Sequence, residues 1–340
     1  MKTRLILPSL LLICLSGCAG GKKTEPVSII FETDMGNDVD DALALDMLYK
    51  YREAGRVNFL MMATNKKSEY SAAFLDLMNT WYGHDIPTGV VAGSNDLPDN
   101  AGSYVRAVCE LKDDDGKPVF GRTLKSFPKA VELYRKTLAG QPDHSVYIVS
   151  VGFSTNLAQL LDTPADSYSP LTGRELVAKK VRLLSAMMGH FTDNGFREFN
   201  VNCDIPAARK VISEWPTEIV ASPYEVGDVI LYPASSIEND FNWGMPHPLV
   251  TGYKNYLPMP YDRQTWDLTS LLYAVENDKS FFGTSGPGTI SVSEDAITTF
   301  TPDPDGKHSY LKVTPEQAGL IRQHFIDLIT RKPEKYKLQN

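Results

Sequence analysis

The stretch that decides the fold is Val27-Ser28-Ile29-Ile30-Phe31-Glu32-Thr33-Asp34-Met35-Gly36-Asn37-Asp38-Val39-Asp40-Asp41-Ala42-Leu43-Ala44-Leu45. Residues 27–31 are apolar and largely β-branched, which suits a strand. Residues 42–51 repeat apolar side chains at helical spacing, with Leu43, Met47 and Leu48 on one side. Between the two lies a loop in which Glu32, Asp34, Asp38, Asp40 and Asp41 crowd their carboxylates together. Strand, acidic loop and helix in direct succession open an α/β domain, whose ligands gather at the carboxyl ends of strands.

The same alternation continues outward. Residues 57–63, 89–92, 145–151 and 180–188 read as strands, and 69–82, 156–161 and 206–213 as helices. The expected architecture is a single open, mostly parallel (mixed) sheet with helices on both faces, Rossmann-like, without an internal repeat or a domain boundary. Residues 239–267, rich in Pro, Gly, Trp and Tyr and lacking a period, read as long loops over a site. A helix is expected at 268–276, then a β-hairpin across 289–313 turning at Pro302-Asp303-Pro304-Asp305-Gly306, then a closing helix at 315–330.

The 340 residues suffice for a substantial core, and 42% apolar with 22% charged side chains excludes a disordered chain or a coiled coil. A formal charge of -8 argues against nucleic acid as a partner, since phosphate backbones require a basic face. Lys2 and Arg4, an apolar run over residues 5–15, and then Leu15-Ser16-Gly17-Cys18 resemble the lipobox of a bacterial lipoprotein. That resemblance implies a signal peptide over 1–17, acylation of Cys18, a small polar tether over 18–25 and a folded body over 26–340. It places the protein at a bacterial cell envelope, held at the membrane by lipid alone, periplasmic or surface-exposed. An ordinary secretory signal is the alternative. Cys109 and Cys203 are too few for a disulfide framework and are expected as free thiols.

Five crowded anions repel one another, and a hard divalent cation bound by oxygen ligands would resolve the conflict; acidic capping of the helix is the plainer alternative. An EF-hand is excluded, since neither Asp34 nor Asp38 starts a loop with Gly at position six and Glu at twelve. A phosphatase-type D-x-D nucleophile fits poorly with Glu32 in first place. No G-x-S-x-G elbow and no C-x-x-C pair occurs. The histidines, His190 and His247 included, lack metal-ligand spacing.

The run 29–45, with its T-D-x-G and D-D-A-x-A elements, resembles the D-x-D-P-G-x-D-D-A signature of the inosine-uridine preferring nucleoside hydrolases. Further landmarks follow in the family's order: Ala63-Thr64-Asn65; Gly152-Phe153-Ser154-Thr155-Asn156, similar to G-P-L-T-N; Met188-Gly189, similar to M-G-G; Glu198-Phe199-Asn200 with Cys203-Asp204, similar to E-F-N-x-x-x-D; and Trp266-Asp267 at the late H-D position. The likeness spans residues 27–280. It implies calcium-dependent hydrolysis of a ribonucleoside to base and ribose, leaning to purines and to purine salvage.

By that resemblance Asp34 binds calcium and takes the proton of the attacking water. Asp41, Asp267 and the main-chain oxygen of Thr155 complete the ligand set. Asp40, Asn65, Asn194, Glu198 and Asn200 grip the ribose, and Met188 packs beneath it. Trp266, standing where the namesake subgroup has a His, stacks on the base. Taken one at a time each of these has an ordinary structural role open to it. Glu32 replaces the family's first Asp, Met35 its Pro, and two extra residues bring in Asp38, so whether Glu32 or Asp38 joins the metal is open. A non-catalytic ribose- or nucleoside-binding lipoprotein, and a hydrolase of another ribosylated compound, are the rival readings; oligomerisation is left open.

Overall fold

β1 (Val27–Thr33) has a parallel strand on each side, and from Ile29 onward its side chains are buried whichever face they take. The computed structural model describes residues 25–93, 103–123, 126–192, 195–276 and 278–337. Along them follow α1 (Asp40–Glu53), β2 (Val57–Thr64), α2 (Glu69–Tyr82), β3 (Thr88–Val90), α3 (Tyr104–Cys109), α4 (Ala130–Ala139), β4 (Val146–Ser150), α5 (Thr155–Leu161), α6 (Gly173–Lys180) and β5 (Val181–Met187). Next come α7 (Phe199–Cys203), α8 (Ile205–Glu214), β6 (Glu218–Ser222), α9 (Tyr224–Asp228), β7 (Leu231–Tyr232), α10 (Ala234–Asn239), α11 (Pro248–Tyr256), β8 (Arg263–Gln264) and α12 (Trp266–Glu276). The last are β9 (Gly283–Thr284), β10 (Gly288–Val292), β11 (Thr298–Pro302), β12 (His308–Lys312), α13 (Pro315–Ile329) and α14 (Glu334–Lys337).

The main sheet runs β11-β10-β12-β6-β5-β4-β1-β2-β3, with β9 beside β12. It is parallel from β12 to β3 and antiparallel at β10, β11 and β9. Strand order therefore reverses between β1 and β4, and the loops leaving their carboxyl ends diverge to open a crevice. Helices cover both faces, as alternation along β1 shows. Ile29 and Phe31 join the core with Leu43 of α1, Phe74 of α2 and Leu271 of α12, whereas Ile30 joins Tyr134 of α4, Leu157 of α5 and Val177 of α6. Among the described residues, no helix is long and apolar enough to cross a membrane. Cys109 and Cys203 are free thiols.

Two expectations are corrected. The stretch 239–267 is not loop throughout: it carries α11 and β8, and α12 starts two residues early, at Trp266. The start of α11 is well signalled, with Pro248 in its first turn and His247 Nδ1 accepting the Leu249 N–H at 3.2 Å. The hairpin turns at residues 293–297, pairing Ile290 with Phe300, rather than at 302–306. The Pro-Asp-Gly segment instead leads into β12, which pairs with β6 in parallel and extends the sheet.

Candidate active site

The acidic loop leaves β1 at its carboxyl end, in the crevice beside β4. Gly36 turns it with φ +104°, a conformation that only glycine adopts easily. The chain then enters α1 with Asp40 and Asp41 in the first turn, where the helix dipole favours anions. Asp267 stands likewise in the first turn of α12, and its N–H donates to Asp40 Oδ2 at 3.1 Å. One carboxylate oxygen from each of Asp40, Asp41 and Asp267 lies within 4.8 Å of the others, and all three residues are buried. The Thr33 hydroxyl donates to Asp41 Oδ1, while Asp41 Oδ2 is buried without a hydrogen-bond partner.

Burial, with mutual repulsion added, pushes the carboxyls of Asp40, Asp41 and Asp267 well above the usual range. Asp34, beside them, is pushed up to about 6 by burial, opposed by a hydrogen bond from Asn37 and the charge of Lys66. A nest of oxygen donors with one buried oxygen uncompensated fits a hard divalent cation, which would hold these groups ionised. Asp40, Asp41 and Asp267 are the side chains grouped closely enough to hold it, and Asp34 lines the same cavity beside them.

The remaining two acids are otherwise committed. Glu32 shares the sheet face of Ile30, away from α1, so it lies behind the nest. Its carboxylate accepts from Ser150 Oγ at 2.7 Å, Tyr134 OH at 3.0 Å and Asn156 Nδ2 at 3.2 Å, and burial raises it to about 6. Asp38 pairs with Arg263 through two hydrogen bonds, the Nε one at 2.8 Å. The Arg263 guanidinium in turn lies 5.3 Å from the centre of Tyr256 and 5.2 Å from that of Trp266.

Asp34, Asp38, Asp40, Asp41 and Asp267 form one wall of a cavity of about 260 Å³, completed by Asn37, Val151, Met187, Glu198, Phe199, Asn200, Tyr224 and Trp266. Glu198 caps α7, accepting N–H groups of Asn200 at 2.8 Å, Val201 at 3.0 Å and Gly189 at 3.1 Å. Burial nevertheless raises it to about 7. Asn200 Nδ2 donates to the Met187 carbonyl at 3.1 Å. Opposite in character is the aromatic lining. The Trp266 Nε1–H donates to the Tyr224 carbonyl at 3.0 Å, the two rings stack at 5.4 Å, and Phe199 is 53% exposed at the mouth.

Of the residues singled out in the sequence, Asp34, Asp40, Asp41, Glu198, Asn200, Trp266 and Asp267 meet in this cavity. Three others do not line it. Met188 belongs to the core on the α8 side, because successive strand residues alternate faces and Met187 takes the cavity side. Thr155 opens α5, its hydroxyl donating to Asp204 Oδ2 at 2.5 Å; the residue that lines the cavity lies four positions earlier, at Val151. Asn65 is fully buried between Gly152 and Glu32, to which it hydrogen-bonds. Gly152 has no room for a side chain there: a Cβ would stand 2.5 Å from Asn65 Oδ1 and 2.6 Å from Asp34 N. Asn194 and Cys18 lie outside the described residues. Sequence reasoning missed Asn37, Lys66, Val151, Met187, Tyr224 and Arg263. Strand ends were the available signal for three of them, since Val151, Met187 and Tyr224 end or follow β4, β5 and β6.

The α/β sheet with its flanking helices is shared with solved nucleoside hydrolases. A purine-preferring ribonucleoside hydrolase from Gardnerella vaginalis superposes with TM-score 0.68 at 15% identity, over 89% of this chain and 98% of that one. The inosine-uridine preferring nucleoside hydrolase of Bacillus anthracis gives 0.65 at 18% identity, over 91% and 99%. A plant nucleoside hydrolase gives 0.64 at 18% identity, over 90% and 98%. These likenesses define the fold. No curated protein matches the sequence. Residues 29–299 match the family model described as inosine-uridine preferring nucleoside hydrolase, and the chain belongs to that family of nucleoside N-ribohydrolases.

Proposed function

We propose that this chain is a calcium-dependent hydrolase that cleaves purine ribonucleosides to free base and ribose. The observation that carries the reading is the joining, in one cavity, of the nest of Asp34, Asp40, Asp41 and Asp267, the polar pair Glu198 and Asn200, and an aromatic wall. Calcium, when bound, supplies the positive charge that acidifies and fixes the attacking water. Asp34 takes the proton of that water as its oxygen bonds to the anomeric carbon. The bond to the base nitrogen breaks with its electron pair leaving on the base, which is protonated from solvent. Asp40, Glu198 and Asn200 hold the ribose hydroxyls, and the surrounding carboxylates favour the oxocarbenium-like transition state.

Purine preference rests on the lining of Phe199, Tyr224 and Trp266, because two fused rings gain more stacking area than one. The test is turnover and KM for inosine, guanosine, adenosine and uridine, with and without calcium, in the wild type and in Asp34→Ala, Asp267→Ala and Trp266→Ala. Base stacking is worth about 1 to 3 kcal/mol, so Trp266→Ala should lose roughly 5- to 150-fold on purines. Sugar release must vanish with chelator and with either Asp variant. No turnover of any nucleoside overturns the reading, and uridine as the best substrate overturns the purine assignment. We propose further, from the sequence alone, that Cys18 carries a lipid anchor and that the body faces the periplasm or the cell exterior.

A further inference from the structure

The loop between Asp34 and Asp40 is longer by two residues than the signature it resembles, and Asn37, within it, lines the cavity. Its side chain is half-buried and bonded at both ends. Asn37 Nδ2 donates to Asp34 Oδ2 at 2.6 Å, and Asn37 Oδ1 accepts from Lys66 Nζ at 2.7 Å. Lys66 lies just past the end of β2, next to Asn65, and is 2% exposed. A buried ammonium on a strand end is a fixed point, and an amide bonded to it cannot rotate without breaking that bond. The amide orientation is thereby set: its oxygen faces Lys66, so its NH2 faces Asp34. Asp34 Oδ2 is thus held, and the carboxylate stands in the same cavity as the nest.

We propose that Asn37 and Lys66 are positioning residues for the reaction, acting as one unit that holds Asp34 by Oδ2 and presents Oδ1 to the water and the cation. The inference rests on the hydrolase reading above, in which Asp34 is the base. Outer groups that orient a ligating or catalytic carboxylate typically contribute about 10- to 100-fold in affinity or activity. The loss should fall on kcat, because Asn37 acts through Asp34 and not through the nucleoside.

The experiment compares Asn37→Ala, Asn37→Leu, Lys66→Met and the Asn37→Ala/Lys66→Met double variant. Asn37→Leu keeps the volume while removing both hydrogen bonds. With inosine, each single variant is expected to lower kcat by about 10-fold or more with KM within twofold. The double variant should be no slower than the slower single one, as for members of one unit. Calorimetric titration with calcium in the absence of nucleoside is the second measurement: the uncharged changes Asn37→Ala and Asn37→Leu should weaken binding about 10-fold. A raised KM at normal kcat would make Asn37 a substrate contact and overturn the proposal. Wild-type kcat in both Asn37 variants overturns it as well, as do losses that multiply in the double variant. If Lys66→Met does not fold, the two Asn37 variants decide alone. If the wild type hydrolyses no nucleoside, the hydrolase reading fails, and the calcium titrations still decide whether Asn37 holds Asp34: unchanged affinity overturns that.

Discussion

Gly227→Ala tests whether the backbone seat of Trp266 and Asp267 controls the reaction. Gly227 lies in α9, hard against the start of α12. A Cβ there would stand 2.4 Å from Trp266 Cα, 2.4 Å from its Cδ1 and 2.7 Å from its Cγ, where ordinary contact begins at 3.4 Å. The shortfall is about 1 Å, and because the obstacle is backbone it cannot be met by a rotamer change. Trp266 and Asp267 must move together, carrying the indole off the Tyr224 carbonyl and the carboxylate off Asp40 and Asp41. Overpacking of this kind costs about 1 to 3 kcal/mol, partly offset by the roughly 1 kcal/mol by which Ala exceeds Gly in a helix. A misplacement of about 1 Å in a reacting constellation costs on the order of 100-fold in rate. Activity should thus fall by about 100-fold while the net loss of stability stays at or below about 2 kcal/mol. The assay is kcat and KM on a purine nucleoside, calcium affinity by calorimetry, and urea unfolding. Gly319→Ala in α13, where a Cβ meets nothing within 4 Å, is the control and should gain up to about 1 kcal/mol. Wild-type kcat/KM in folded Gly227→Ala would refute the reasoning.

Burial holds Glu32 and Asp34 up at about 6 and Glu198 at about 7, so the folded chain binds protons more tightly than the unfolded one, whose carboxyls titrate near 4. In chelator, stability contributed by these groups is therefore present at low pH and lost as pH rises from about 4 to 7: Tm should fall between pH 5 and pH 8, and a Tm that rises over that window contradicts the burial argument. Saturating calcium should raise Tm by more at pH 8 than at pH 5, since protons compete for the same oxygens. Arg263→Met leaves Asp38 partly buried and unpaired beside Asp40, and should cost about 1 to 3 kcal/mol in urea unfolding; adding Asp38→Asn should recover part of that loss, and purely additive losses would contradict the pairing. Cys18→Ser expressed in a lipoprotein-processing bacterium should appear unacylated and soluble, and persistent membrane attachment counts against the anchor.

Much of this fold was legible because local signals agreed with the global pattern. Residues 69–82 were read to the residue: Ser68 caps the start of α2 by accepting the Ser71 N–H at 3.0 Å, and Gly83 ends it at φ 71°. Likewise β1, the acidic loop and α1 were readable, because periodicity changes from strand to helix across a short polar run. What escaped had weak local signals. Met187 and Met188 are both apolar and both buried, so nothing in their types says which faces the cavity; that depends on the phase of β5. Thr155 is named through the motif position it carries, whereas Val151 lines the cavity only through where its strand stops. Arg263 and Lys66 are far in sequence from the acids they serve. Such pairings arise from topology, and no spacing rule anticipates them.

The fifth acid in the loop poses an electrostatic problem that the fold solves locally. Among the neighbouring charges, Asp38 is the largest contributor to the upward shift of Asp40, so an unpaired Asp38 would oppose ionisation of the nest. Arg263 supplies the opposite charge, and it sits on β8, three residues before Trp266 and four before Asp267. The insertion is thus tied to the segment that delivers both the aromatic wall and a carboxylate of the nest. Because the same guanidinium lies over Trp266, the ion pair fixes the distance between loop and wall as well as balancing charge. Two departures from the family pattern, the lengthened loop and the Trp in place of His, therefore meet at one side chain. A shift of the loop would be felt by the indole, and a shift of the indole by Asp38. Arg263 thus bridges the acidic and aromatic halves of the cavity by direct contact, as suits a site that holds ribose on one half and a departing base on the other in a single geometry.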